Sequence, residues 1–169
     1  MQQPGGMNKV VILGRGEAGK STLAARLGTA TGLPVVELDK HFWPADLTPI
    51  HQDRWAAVQR QLIAADRWIL DGDLGPYDVL PVRLAAADTV IVLDFPLRRC
   101  AWRAARRSRE NLAFWRWLLG YRRRSLPIVL AAIAEHAGAA DVHRLRNPRE
   151  VDEFLSRAST KDTGTPPRG

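Results

Sequence analysis

The sequence predicts an α/β fold, in which a parallel β-sheet is covered by helices on both faces. Three observations lead to this prediction. A glycine-rich loop joins an apolar run to a helical pattern near the start of the chain. Further short apolar runs alternate with helical patterns along the rest of the sequence, as βαβ units require. The chain has 169 residues, 46% of them hydrophobic, which suits one domain with a substantial core.

The glycine-rich loop is the most specific motif. It follows a predicted strand over residues 9–13 and precedes a predicted helix over 21–31, which Gly32 ends. This context indicates a phosphate-binding loop, or P-loop, in which backbone N–H groups and the helix N-terminus bind phosphates. The motif G-x-x-x-x-G-K-[ST] is matched by the predicted nucleotide-binding residues Gly14, Arg15, Gly16, Glu17, Ala18, Gly19, Lys20, Ser21 and Thr22.

Individual side chains of this loop have different expected roles. Lys20 is expected to reach the β- and γ-phosphates of the nucleotide, and the Ser21 hydroxyl to bind Mg²⁺. Glu17 places a carboxylate beside several phosphate charges, so we expect it at the surface, pointing to solvent or paired with a neighbour such as Arg15.

The other elements follow from apolar runs and helical spacing. Predicted strands cover residues 34–38, 68–70, 90–93 and 141–145; predicted helices cover 51–65, 97–109, 112–120 and 126–136, with a short helix within 74–87 and a last helix from Asn147. We expect one domain over residues 9–157, between a disordered leader (1–8) and a disordered tail (158–169). Trp43 and Trp55 are expected to pack rather than to stack on a base.

Three predicted strands end in aspartate, at Asp39, Asp71 and Asp94. Ligands of open α/β sheets gather at the carboxyl ends of strands, so each carboxylate is a candidate site residue. Asp39 is either a functional residue or the cap of a helix or turn. Asp71 and Asp94 both fit the Walker-B pattern, in which an aspartate after an apolar strand holds Mg²⁺.

The composition excludes several classes of protein. No apolar run approaches the length of a membrane span, and the first residues lack the pattern of a signal peptide. The single Cys100 rules out an internal disulfide and suits a reducing, cytoplasmic compartment. The four histidines lack metal-ligand spacing, so no zinc site is expected.

The net charge of +7 is concentrated in one segment. Residues 98–124 contain ten of the 25 basic residues, all arginines, and one of the 18 acidic residues. Such a segment would suit phosphate groups, either those of a nucleotide under a mobile lid or those of a nucleic acid. In the second case Trp102, Trp115 and Trp117 would be available to stack on bases.

In order, these motifs resemble those of the P-loop small-molecule kinases related to adenylate and shikimate kinases, and above all the topology modulation protein (adenylate-kinase-like) family. The resemblance rests on the P-loop, Leu38-Asp39 followed by an aromatic-Trp-Pro stretch, Trp68–Gly72, Ala87–Asp94 and the arginine-rich segment. It implies a P-loop NTPase three-layer sandwich with a five-stranded parallel sheet in the order 2-3-1-4-5. It also implies a helical, arginine-rich lid over about residues 98–124.

The resemblance further implies the roles of particular residues. It favours Asp71 over Asp94 as the Walker-B residue and makes ATP and Mg²⁺ the cofactors. We therefore expect an ATP-dependent phosphotransferase acting on a small-molecule or nucleotide acceptor; the alternatives are a nucleotide-dependent nucleic-acid-binding protein and a non-catalytic ATP switch. The expected site residues are catalytic Lys20, Asp39, Arg103 and Arg107, metal-binding Ser21 and Asp71, and acceptor-binding Arg54 and Arg83.

One departure from the family pattern lies in the expected acceptor site. Where the family continues Asp-Gly-Asn-Tyr, this chain has Asp71-Gly72-Asp73-Leu74. The resemblance therefore implies either a different acceptor or a partly lost activity.

Overall fold

The computed structural model describes residues 6–15, 17–42, 50–75, 78–98, 100, 102 and 112–162. The strands are β1 (Lys9–Gly14), β2 (Val35–Glu37), β3 (Trp68–Asp71), β4 (Thr89–Leu93) and β5 (Asp141–Leu145). The helices named below are α1 (Lys20–Thr31), α2 (Leu38–Phe42), α3 (Gln52–Ile63), α4 (Leu80–Leu84), α5 (Leu112–His136) and α6 (Pro148–Asp162). No helix in the described ranges is both long and apolar enough to cross a membrane.

The five strands form one parallel sheet in the order β2-β3-β1-β4-β5. This confirms the predicted fold class and strand order. The register pairs Ile12 of β1 with Asp71 of β3 and Gly14 of β1 with Leu93 of β4. The P-loop therefore starts beside the ends of both neighbouring strands, the position at which α/β sheets bind ligands.

Helices cover both faces of the sheet, as the apolar strands require. Val10 and Ile12 of β1 point to a cluster that includes residues of α1 and α6. Val11 and Leu13 point to the opposite cluster, which includes residues of α3, α4 and α5. A strand buried on both faces has no polar side to expose, which explains why β1 and β4 are apolar after their first residues, Lys9 and Thr89.

Two element boundaries differ from the predictions. Strand β2 ends at Glu37, and Leu38 begins the short helix α2, so Asp39 lies in a helical first turn and not at the strand end. Leu38 and Phe42 are buried at helical spacing, and their packing against the core favours the helix. Trp55 is fully buried and packs edge-on against Phe42, with the ring centroids 5.1 Å apart, as expected for a packing tryptophan.

The predicted helices at 112–120 and 126–136 are one continuous helix, α5. Arginine is a good helix former, and Arg122, Arg123 and Arg124 are exposed while Tyr121 and Leu126 on either side are buried. The arginine run is thus the solvent face of the helix and not a connection.

The described structure extends past both ends of the predicted domain, 9–157. Helix α6 continues to Asp162, with Ala158 buried against the core, because the apolar spacing of Val151, Phe154 and Leu155 extends one turn further. At the other end, Met7 packs against the core and the backbone N–H of Asn8 donates to Asp88. The rest of the predicted leader and tail, residues 1–5 and 163–169, lies outside the described ranges.

Candidate active site

The P-loop turns sharply where it leaves β1. Gly14 has a φ of +145°, and a Cβ there would lie 2.6 Å from the carbonyl oxygen of Leu93, so only glycine fits. Glu17 and Gly19 have φ values of 59° and 92°, in the left-handed region. Such residues allow successive backbone N–H groups to converge on an anion. Glu17 is half-buried, and Gly16 lies outside the described residues.

Lys20 is the first residue of α1 and folds back over the loop. Its Nζ donates to the carbonyl oxygens of Gly14 and Arg15, at 3.0 and 3.2 Å. Burial raises the pKa of the Asp39 and Asp71 carboxyls, and the same ammonium lies close enough to both to oppose that rise. The predicted catalytic lysine is therefore held among carboxylates at the carboxyl ends of the strands, next to the loop. Thr22, the last residue of the motif, is exposed on α1.

Asp71 and Ser21 come together beside Lys20. Asp71 ends β3 and is 4% exposed, and the Ser21 hydroxyl donates a hydrogen bond to its carboxylate. Burial raises the pKa of Asp71, while the Ser21 hydrogen bond and the Lys20 charge oppose that rise. Its Oδ1 has no hydrogen-bond partner among the described residues. A hydroxyl and a buried, incompletely bonded carboxylate are the oxygen donors that Mg²⁺ takes, so these two residues fit the ion.

Asp94, the other Walker-B candidate, has a different environment. Its Oδ2 accepts hydrogen bonds from Arg144 Nη2 and Nε, at 2.6 and 3.1 Å, and from Arg122 Nη2 at 3.4 Å. The side chain is 4% exposed. Because two guanidinium groups already occupy this carboxylate, Asp94 joins α5 and β5 to the end of β4. The structure thus brings Asp71, and not Asp94, to Ser21.

Asp39 lies in the first turn of α2 and faces the same group of charges. Asp39 is exposed to solvent. Desolvation raises the pKa of its carboxyl, Lys20 opposes this rise, and repulsion from Asp71, Asp73 and Asp78 adds to it. Asp39 is therefore an accessible carboxylate with an increased proton affinity, close to the P-loop lysine.

The environment of Arg83 contradicts its predicted role in acceptor binding. Its side chain has no exposed surface and forms an ion pair with Asp78, in which Nη2 and Oδ2 are 2.5 Å apart. Arg83 Nη2 also donates to the carbonyl oxygen of Gly72 at 3.0 Å. A guanidinium that is buried and occupied in this way cannot contact an acceptor; it supports the loop that follows Asp71. Arg54 is exposed near the start of α3 and stays a predicted acceptor contact.

A second group at the site is formed by Asp73 and Tyr121, and little in the sequence predicts it. The Tyr121 hydroxyl of α5 donates to Asp73 Oδ2 at 2.8 Å, and Asp73 Oδ1 accepts from the backbone N–H of Gly75 at 3.1 Å. The departure from the family pattern at Asp73 was visible, but its partner is 48 residues away. A contact of that separation has no local pattern.

The lid can be described only in part. Arg103 and Arg107, the predicted lid arginines, lie outside the described residues, as does most of the predicted helix 97–109. The carboxyl-terminal part of the segment belongs to α5, where Tyr121 is buried in the core and Arg122 contacts Asp94. The mobile lid thus stays a prediction for the residues before Tyr121.

Two surface depressions lie beside α1. The smaller one, of about 130 Å³, borders the P-loop and is lined by Gly19, Thr22 and Arg26 of the loop and α1, and by Pro148 of α6. The larger one is an open groove between α1 and α6, lined by residues such as Ala25 and Ser156. The smaller pocket is the better candidate for the nucleotide, since it adjoins the phosphate-binding backbone.

Sheet order, parallel strands and a P-loop between β1 and α1 together match the α/β fold of P-loop kinases. Solved structures agree. The chain is similar to a shikimate kinase from Acinetobacter baumannii in complex with shikimate, with 17% identity, a TM-score of 0.63 and coverage of 89% of this chain and 90% of that one.

Two further structures have the same fold. A gluconokinase from Sinorhizobium meliloti is 18% identical with a TM-score of 0.55, covering 91% of this chain and 94% of that one. A sugar kinase from Janibacter is 19% identical with a TM-score of 0.54, covering 91% and 93%. No family model and no curated protein matches the chain. The likeness to the topology modulation protein family therefore stays a prediction from the motifs.

Proposed function

We propose that the protein is an ATP- and Mg²⁺-dependent phosphotransferase that acts on a hydroxyl group of a small molecule or nucleotide. One observation carries this proposal: Lys20, Ser21 and Asp71 meet at the P-loop, with Asp39 in the same field of charges. Phosphoryl transfer depends on positioning and charge neutralisation more than on covalent chemistry, and these groups supply both. The P-loop kinase fold supports the same reading.

Each residue has a separate task in this proposal. The loop backbone would bind the β-phosphate, and Lys20 would leave the carbonyls of Gly14 and Arg15 to pair with the transferred phosphoryl group. Ser21 and Asp71 would hold Mg²⁺, which neutralises phosphate charge when bound. Asp39, with its raised pKa, would orient the acceptor hydroxyl and take its proton. Arg103 and Arg107 are proposed to close over the phosphates.

The acceptor is proposed to be a hydroxylated metabolite. The neighbouring structures are named as sugar, glucono- and shikimate kinases, whereas a nucleoside-monophosphate acceptor rests on the sequence resemblance alone. Nucleic-acid binding, the alternative for the arginine segment, receives no support from these comparisons. Arg122, one of the ten arginines, already pairs with Asp94.

An acceptor screen tests the proposal. Purified protein is incubated with ATP, Mg²⁺ and sugars, hydroxy acids or nucleoside monophosphates, and ADP and phosphorylated product are measured. We expect turnover with at least one acceptor and a loss of about 100-fold or more in Lys20→Ala. Lys9→Ala, at the opposite end of β1, is the matched control and should keep its activity. If no acceptor is phosphorylated, or if Lys20→Ala keeps near-normal turnover, the proposal is wrong.

A further inference from the structure

Arg15, the second residue of the P-loop, carries a buried charge that the described residues do not fully bind. The residue is 3% exposed, and its Nε and Nη1 lack hydrogen-bond partners within the described part of the chain. A guanidinium stays protonated in proteins and must donate its N–H groups to be buried without a large loss of stability. Among the described residues, Trp68 and Arg83 each have one such buried nitrogen and Arg15 has two, so Arg15 is the strongest candidate for a ligand.

Arg15 packs against an aromatic ring whose hydroxyl already donates to a carboxylate. Its guanidinium carbon lies 5.7 Å from the ring centroid of Tyr121, over the aromatic face. The hydroxyl of the same tyrosine donates to Asp73. Burial and the Asp73 carboxylate raise the pKa of Tyr121, so the phenol stays protonated and keeps donating at neutral pH. Tyr121 thus orients the guanidinium plane and satisfies Asp73 at the same time.

A second carboxylate at this edge of the sheet, that of Asp94, already accepts hydrogen bonds from other residues. Gly14 and Leu93 are paired in register, so Arg15 and Asp94 leave neighbouring strands together. Asp94 accepts from both Arg144 and Arg122. Among the described residues, no hydrogen bond joins Arg15 to Asp73 or to Asp94.

The position of Arg15 separates it from the nucleotide. The pocket beside Gly19 and Thr22 lies with α1 and α6 on one face of the sheet. Tyr121 belongs to the core cluster on the opposite face, together with residues of α3 and α4. On this second side, the charge of Asp73 repels the Asp39 carboxylate. An anion bound by Arg15 would therefore lie on the side of Asp39, where the acceptor is expected.

We propose that Arg15 binds an oxyanion, a carboxylate or a phosphate, that the acceptor carries in addition to its reacting hydroxyl. This inference rests on the proposed function and narrows its acceptor to anionic molecules. Arg15 is then a specificity residue: its fork donates two N–H groups to the anion, and Tyr121 fixes the plane of that fork. A neutral sugar would leave the buried charge unmatched and would bind weakly.

The test measures binding and not turnover. The P-loop is first saturated with Mg²⁺ and a non-hydrolysable ATP analogue, and probes are then titrated by calorimetry. Each anionic probe has a neutral twin: gluconate with glucitol, and glucose 6-phosphate with glucose. We expect at least one anion to bind the wild type and its twin to bind far less. Arg15→Met should weaken that anion about 10- to 100-fold, and Arg15→Lys should restore part of the affinity. Arg60→Met, on the exposed face of α3, is the matched control.

Thermal unfolding without ligand gives a second readout. Because Arg15→Met removes a buried charge with unmade hydrogen bonds, we expect the melting temperature to rise by about 2–6 °C. If Arg15 served only to stabilise the fold, Arg15→Met would lower the melting temperature instead, and that result would overturn the proposal. So would equal binding of charged and neutral twins, or anion binding that survives Arg15→Met. If anions bind through Arg15 but no acceptor is phosphorylated, the proposed kinase function fails, and only the anion-binding role of Arg15 stands.

Discussion

The buried ion pair between Asp78 and Arg83 allows a quantitative test of how the active site is held. Arg83 donates from Nη1 and Nη2 to the Asp78 carboxylate, and its Nη2 also donates to the carbonyl oxygen of Gly72. Gly72 follows Asp71, so the pair supports the loop beside the proposed metal ligand. We predict that Asp78→Asn destabilises the protein and also lowers activity at fixed Mg²⁺.

The structure sets the size of the effect. Both side chains of the pair are essentially inaccessible, at 0% and 1% exposure. Removing one partner of such a pair leaves the other charge buried alone and costs about 3–5 kcal/mol. The single asparagine oxygen can still accept from one backbone N–H, that of Leu74 or Val79, and from one Arg83 nitrogen, so we expect the lower half of that range. In a domain of this size the loss corresponds to a melting temperature lower by about 6–16 °C.

Urea unfolding of a double-mutant cycle measures this energy. The cycle compares Asp78→Asn, Arg83→Met and the double variant, and the double variant should be more stable than Asp78→Asn alone because no unpaired buried charge remains. A loss below about 1 kcal/mol for Asp78→Asn, or purely additive effects, would refute the reasoning.

The pH dependence of stability gives an independent check on the same pair. Burial alone would raise the pKa of Asp78, but the charge and hydrogen bonds of Arg83 outweigh it, and the pKa is lowered below its ordinary value of 3.8. A carboxyl whose pKa is lower in the folded state stabilises the protein above its unfolded pKa. That stabilisation should be lost as the pH falls below about 4, and Asp78→Asn should lack this part of the acid transition.

Three further predictions concern the P-loop, the metal and the lid. Asp71→Asn should weaken the dependence of activity on Mg²⁺ more than Asp94→Asn does. The same variant should raise the melting temperature without ligand, because burial of the Asp71 carboxyl favours its neutral form. A Mg²⁺ titration with the opposite order would move the metal to Asp94. Gly14→Ala should abolish folding or nucleotide binding, as measured by circular dichroism and calorimetry, because its Cβ would meet the backbone of Leu93. Hydrogen exchange with a non-hydrolysable ATP analogue and Mg²⁺ should show added protection in residues 98–120 as well as in the P-loop; protection confined to the P-loop would exclude a closing lid.

The sheet and the P-loop were predictable because their sequence signals are local. The central strands β1, β3 and β4 contain short apolar runs between polar connections, and a strand buried on both faces can have little other pattern. The P-loop is defined by spacing, and Gly14 and Gly19 have backbone angles that other residues rarely adopt. The strand order came with the family resemblance, and solved structures of the same fold agree with it.

The role of Arg83 was not predictable in this way. A lone arginine in a polar loop suggests solvent or a ligand, and only the folded chain brings Gln59, Asp78 and the carbonyl of Gly72 around it. The continuity of α5 was missed for a related reason, since a run of arginines looks like a connection until the buried residues on either side are seen to share a helical face. Burial of charge depends on tertiary contacts, and sequence spacing carries little information about it.

Asp71 and Arg15, near the P-loop lysine, carry buried charges of opposite sign. Neither charge is fully bound by the described residues. Asp71 keeps one oxygen without a partner, and Arg15 keeps two N–H-bearing nitrogens without partners. An ion pair between them would relieve both costs, but Asp71 is turned to Ser21 and Arg15 to Tyr121. The free protein therefore retains a cost that a cation at Asp71 and an anion at Arg15 would remove separately. Since each ligand would stabilise the folded state through its own site, Mg²⁺ with nucleotide and the anionic acceptor should raise the melting temperature additively unless closure of the lid couples them.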